Sequence, residues 1–146
     1  MRRKKRWLRV PAFLTCERVD GNPASQSSGP WTLHGVTHDF HLRAPFADLP
    51  GAFPDPPLAL FVQLRSRLKR PSRPRELEAH LYKKAGVRFI CRYRFPAQTF
   101  RPDMMTYMTM PIQPPPITEE GWYSFLLVLD DDDRTPLSRT EVYLIP

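Results

Sequence analysis

Arg88, Arg92 and Arg94 all stand at even positions in HLYKKAGVRFICRYRF, residues 80 to 95. On a strand they share one face, opposite Val87, Phe89, Cys91, Tyr93 and Phe95. Three guanidinium groups so arranged can hold a phosphate or a carboxylate. The preceding stretch, RELEAHLYK, offers them a competing use, because Glu76, Glu78, His80 and Tyr82 form a polar face of their own beside an apolar one of Leu77, Ala79 and Leu81. A three-residue loop of Lys84, Ala85 and Gly86 sets Glu78 across from Arg92 and Glu76 across from Arg94, and it keeps the apolar faces together. The expectation is therefore a solvated, charge-paired face, each pair contributing about 0.2–1 kcal/mol.

His34, His38 and His41 raise the question of a metal. On a regular strand His34 and His38 lie about 13 Å apart and His41 points the other way, whereas zinc holds imidazole nitrogen at about 2.1 Å. No metal site is expected from them. Asp130 to Asp133 lack the alternating oxygen ligands and the glycine of a calcium loop, and they read as a solvated turn. Nucleophilic chemistry finds no G-x-S-x-G elbow and no glycine-rich phosphate loop. Cys91 and His80 fall on opposite faces, and Glu119 and Glu120 occupy a turn. The sequence thus predicts a protein that is not an enzyme, with no catalytic residue, metal or cofactor and no small-molecule substrate.

Positive charge is concentrated in two places. Arg2, Arg3, Lys4, Lys5, Arg6 and Arg9 carry six of the net seven positive charges, with no acid among residues 1–9. Arg65, Arg67, Lys69, Arg70, Arg73 and Arg75 form a second cluster, broken by Pro71 and Pro74 into an exposed loop. Both can neutralise phosphates without reading sequence, and Trp7 can stack on a base. The N-terminal stretch resembles an export signal only in its basic start, since Arg9 and Pro11 interrupt its apolar part. No stretch approaches the roughly 20 apolar residues of a membrane span. A cytoplasmic protein is expected, with Cys16 and Cys91 as thiols.

The chain carries 18 prolines and 6 glycines. That balance disfavours long helices and leaves short strands joined by stiff connections. Strands are read at 10–19, 31–40, 58–65, 75–83, 87–95, 105–112, 121–130 and 137–145, with 58–65 at a sheet centre. They predict an all-β fold, a single antiparallel β-sandwich of about seven or eight strands with proline-rich connections, spanning residues 10–146 behind a basic extension, 1–9. GWYSFLLVLD is apolar on both faces, so Trp122, Leu126 and Val128 are covered either by the domain or by another chain.

The AFLTC strand, LHGVTHDF, FADLPGAFPDPPLALFVQLR, the hairpin containing Gly86, and GWYSFLLVL with its terminal strand resemble a bacterial family of small immunoglobulin-like β-sandwich proteins of unknown function. The resemblance covers residues 10 to 145 and implies an immunoglobulin-like core, without catalytic residues to transfer. The leading functional expectation is a non-catalytic protein-binding or scaffold module that meets a protein partner or a second copy of itself. Two alternatives stand beside it. One is nucleic-acid association through Arg2, Arg3, Lys4, Lys5 and Arg6 with Arg65, Arg67, Lys69, Arg70 and Arg73. The other is carbohydrate binding on Trp31, Trp122 or Tyr107.

Overall fold

A computed structural model describes residues 7–20, 32–42 and 58–146. Among these residues ten strands run in chain order as β1 (Leu8–Cys16), β2 (Arg18–Asp20), β3 (Thr32–His34), β4 (Asp39–His41), β5 (Leu58–Ser66), β6 (Leu77–Lys83), β7 (Arg88–Arg94), β8 (Met105–Ile112), β9 (Gly121–Leu129) and β10 (Ser138–Ile145). Among the described residues there is no α-helix, and no helix long and apolar enough to cross a membrane.

Two sheets pack face to face. One has the order β1-β5-β8 and the other β4-β10-β9-β6-β7, while β2 and β3 form a separate ribbon. Proline placement follows from hydrogen bonding. Pro11 in β1 and Pro111 in β8 lie in the two edge strands of the first sheet, where a missing N–H breaks no ladder. The proline-free β5 occupies the centre, as its even apolar character predicts, with Leu58, Leu60, Val62 and Leu64 fully buried. Across the core, β9 presents Tyr123, Phe125, Leu127 and Leu129, and β10 presents Val142 and Leu144.

Lettered A for β1, A′ for β4, B, C and C′ for β5 to β7, and E, F and G for β8 to β10, the strands give an ABE sheet facing A′GFCC′. The arrangement is that of an immunoglobulin-like sandwich. A local device of that architecture is present too. Tyr123, near the start of β9, donates from its hydroxyl to the Glu119 carbonyl at 2.8 Å, tying the crossing from β8 to the strand it enters. Tyr123→Phe is expected to cost about 0.5–1.5 kcal/mol, seen as an earlier urea midpoint with an unchanged slope. The residue two places on, where antibody domains carry a bridging cysteine, is Phe125, and Cys16 and Cys91 are both free.

Two expectations of regular structure are corrected. The single strand read over 31–40 is broken after His34 by Gly35, at φ 61, so β3 and β4 belong to different sheets. A side chain at Gly35 would collide with Glu17, whose carboxyl carbon lies 2.5 Å from the Cβ position. The hairpin loop before β7 is longer than the three residues expected. Lys84 leads into a short 3-10 turn, Ala85–Val87, in which Gly86 (φ 76) and Val87 (φ 49) are both left-handed. A bulge then separates the Leu81–Cys91 pair from the Tyr82–Phe89 pair. Together they slip the register by two residues, placing Glu78 across from Arg94 and His80 across from Arg92.

Candidate binding face

Because the odd-numbered residues of β9 enter the core, its even-numbered ones face outward. Registry with β6, β7 and β10 gathers Trp122, Ser124, Leu126 and Val128 with Glu78, His80, Tyr82, Phe89, Arg92, Arg94, Arg139 and Tyr143 on the outer face of the five-stranded sheet.

One half of this face is an ionic cluster. Arg94 Nε donates to Glu78 Oε2 at 3.1 Å, and Arg92 Nε lies 4.0 Å from the same oxygen. Asp131, from the β9–β10 turn, stands 3.7 Å from Arg92. Charge pairing of β7 arginines with β6 is therefore real, but Glu78 serves both and Glu76 neither. The face is also not solvated as expected, since Glu78 is 3% and His80 4% exposed. The aspartate run divides its work as well. Asp130 pairs with Arg75 at 2.5 Å and accepts from the Glu76 backbone N–H at 3.2 Å. Aspartate also suits the turn itself, because Asp130 and Asp131 sit at φ 50 and 58, where a short polar side chain costs least.

The other half is apolar and concave. A cavity of about 250 Å³ lies over Leu126 and Ser124, walled by Tyr82, Lys84, Val87 and Arg139. Lys84 ties this rim together, donating its backbone N–H to the Trp122 carbonyl at 3.0 Å and its ammonium to Glu141 at 2.9 Å. The ammonium holds the Glu141 carboxyl below its usual range. Trp122, Val87 and Phe89 are three of the five large apolar side chains exposed among the described residues, at 46%, 77% and 48%. Phe89 stacks edge-on against Tyr82, and Trp122 against Tyr143, each at 5.5 Å between centroids. Of the residues expected at an interface, Val128 is fully covered by the chain itself, Leu126 is half-buried and Trp122 is open. Sequence reading missed Val87 and Phe89, which only the bulge and the turn bring to this side.

Trp7 and Arg9 lie elsewhere, beside the start of the arginine loop. Arg67 donates its backbone N–H to the Trp7 carbonyl at 2.6 Å, and Arg9 pairs with Arg65 across β1 and β5. Arg65, Arg67, Lys69, Arg70 and Arg73 are all exposed. Trp7 is already engaged, against Phe100 at 5.9 Å and under the Arg75 guanidinium at 5.2 Å. Arg2, Arg3, Lys4, Lys5 and Arg6, like Trp31, lie outside the described residues.

Among the described residues the remaining candidates stay apart. His34 bonds Asp20 at 2.7 Å, and His38 donates to the Glu141 carbonyl at 3.1 Å. Burial raises the pKa of both thiols, so neither Cys16 nor Cys91 is a ready nucleophile. A larger cavity, about 660 Å³, opens among Arg18, Asp20, Asp39, His41, Ala59 and Pro111.

No known protein family matches the chain, and neither does any curated protein. Among solved structures it is similar to part of the Pseudomonas fluorescens alkylpurine DNA glycosylase AlkC bound to DNA containing an abasic site analog. The TM-score is 0.54 and the identity 10%, over 96% of this chain and 31% of that one. The chain thus spans less than a third of that protein's length, and at this identity the likeness is one of fold. An immunoglobulin-like protein from Pseudomonas aeruginosa aligns with TM-score 0.43 and 9% identity over 94% of this chain and 96% of that one.

Proposed function

We propose that this chain is a non-catalytic protein-binding module that engages its partner through the outer face of the five-stranded sheet. The observation that carries this reading is that Trp122, Val87 and Phe89 are all exposed on the sheet face that holds the groove over Leu126, with Val87 on the groove's wall. Aromatic anchors beside a pocket, rimmed by charge, are the composition of an interface centre. Val87 strengthens the case. A β-branched residue at φ 49 is strained where glycine or asparagine would relax, and Val87 stands 77% exposed on the groove wall.

Trp122→Lys tests the reading, because burying a lysine at an interface centre opposes association while leaving an exposed site of the monomer nearly neutral. Sedimentation and cross-linking from micromolar concentrations upward should show self-association or a host partner with the natural chain, and at least a tenfold loss with the variant. A strict monomer that recovers nothing, or the same proteins from both chains, would sink it.

A second reading rests on a different observation, the junction of Trp7 with Arg67. It sets Trp7 and Arg9 beside the exposed Arg65 and Arg67, residues some 60 places apart in the chain. Nucleic acid is the polyanion that such a region suits, and the fold-level neighbour AlkC is itself described as bound to DNA.

A further inference from the structure

The ionic cluster contains one group that its surroundings do not satisfy. The His80 side chain is 5% exposed, and neither Nδ1 nor Nε2 reaches a hydrogen-bond partner. Leaving a buried imidazole unpartnered is unfavourable, and a leucine or phenylalanine would pack there without that cost. The unpartnered ring lies beside a carboxylate. Nε2 stands 3.5 Å from Glu78 Oε1, close to the roughly 3.3 Å edge of a tetrahedron whose ligands sit about 2.0–2.1 Å from zinc. Glu78 divides its two oxygens accordingly, with Oε2 taken by Arg94 and Arg92 and Oε1 turned towards His80.

Asp131 completes the set. One ligand atom from each of Glu78, His80 and Asp131 lies within 4.8 Å of the other two. We infer that these three residues form a site for a divalent transition-metal ion of the zinc class, with water in the fourth position. An imidazole beside two carboxylates suits such an ion better than calcium or magnesium, which take six or more oxygen ligands. Asp131 is 70% exposed and free to rotate onto the ion. Arg92, 48% exposed, can swing from Asp131 into water, while Arg94 keeps its bond to Oε2 and orients the carboxylate that binds. The ion would pin the β9–β10 turn to β6. None of its ligands lines the groove, although the His80 ring meets Phe89 edge-on at 5.9 Å and so adjoins the apolar half of the same face.

The test titrates the full chain, stripped with a chelator, with Zn2+ against a chromogenic competitor and with Co2+ followed by its visible absorption. One ion per chain is expected. Asp131→Asn should weaken binding at least tenfold, because asparagine keeps the left-handed turn but loses the charge. His80→Ala should remove the cobalt band, and a chain with His34, His38 and His41 changed to Gln should retain it. Long-range nitrogen NMR of the zinc-loaded chain should assign His80 Nε2 as the bound atom, a readout independent of whether any variant folds poorly. Absence of a cobalt band, equal affinity in the natural chain and Asp131→Asn, or a metal shift at His34 instead of His80 would overturn the assignment.

Discussion

Changing Arg65, Arg67, Lys69, Arg70 and Arg73 to Gln in the full chain is expected to weaken binding to a labelled DNA duplex by roughly a hundredfold at about 50 mM salt. The salt dependence should change as well. Each phosphate neutralised contributes about 0.9 to the slope of log affinity against log salt, so five lost contacts flatten it by up to about 4.5. Removing residues 1 to 6 should flatten it further. The cut belongs there and not after Arg9, because Trp7 packs on Phe100 and holds the arginine loop through its carbonyl. A cut at Arg9 would confound lost charge with a damaged β1. Anisotropy across a salt series measures both quantities. No binding by the natural chain at 50 mM, or a slope indifferent to all these changes, would eliminate the nucleic-acid reading and leave the sheet face as the working surface.

How far these surfaces were legible in the sequence depended on whether their residues are near neighbours. The strand content was legible, because alternation within seven to nine residues reports burial directly. β8 falls at the residues the pattern predicts, 105–112, and β9 within one residue of them. The loop between β5 and β6 was legible from Pro71 and Pro74. Register was not legible. It hinges on Val87 taking a left-handed conformation that its residue type disfavours, and on a bulge at Ile90 that has no signature in RFICRYR. The slip decides which carboxylate meets which arginine. Burial of Glu78 and His80 was hidden for a related reason. The groups that cover them, Arg92, Arg94 and Asp131, come from another strand and from a turn about fifty residues away, so a polar face on β6 looked solvated. The approach of Asp131 to His80 was hidden likewise, because the two meet through the pairing of β6 with β9 and not through spacing along one segment.

Phe125→Ala is expected to destabilise the domain by about 3–5 kcal/mol, lowering its melting temperature by roughly 10–16 °C for a chain of this size. The reason is positional. Phe125 is fully buried in β9, which has two strands on each side in its sheet, and it is flanked across the ladders by Leu81 and Thr140. Tyr93 lies 6.3 Å away, centroid to centroid, on the neighbouring edge. In antibody domains the corresponding site carries one half of a bridge between the sheets, a link that typically contributes 2–4 kcal/mol. Here both cysteines are free, so cohesion between the sheets comes from apolar contact, and the largest side chain at that site carries a large share of it. Trp122→Ala provides the contrast. Its ring sits 46% exposed on the outer face, so its loss should change stability by no more than about 0.5 kcal/mol. Thermal and urea unfolding of the two variants side by side therefore separate a residue that holds the sheets together from one that the fold leaves available. A cost below about 1 kcal/mol for Phe125→Ala would mean that the core closes around the missing ring and that the sheets are held elsewhere.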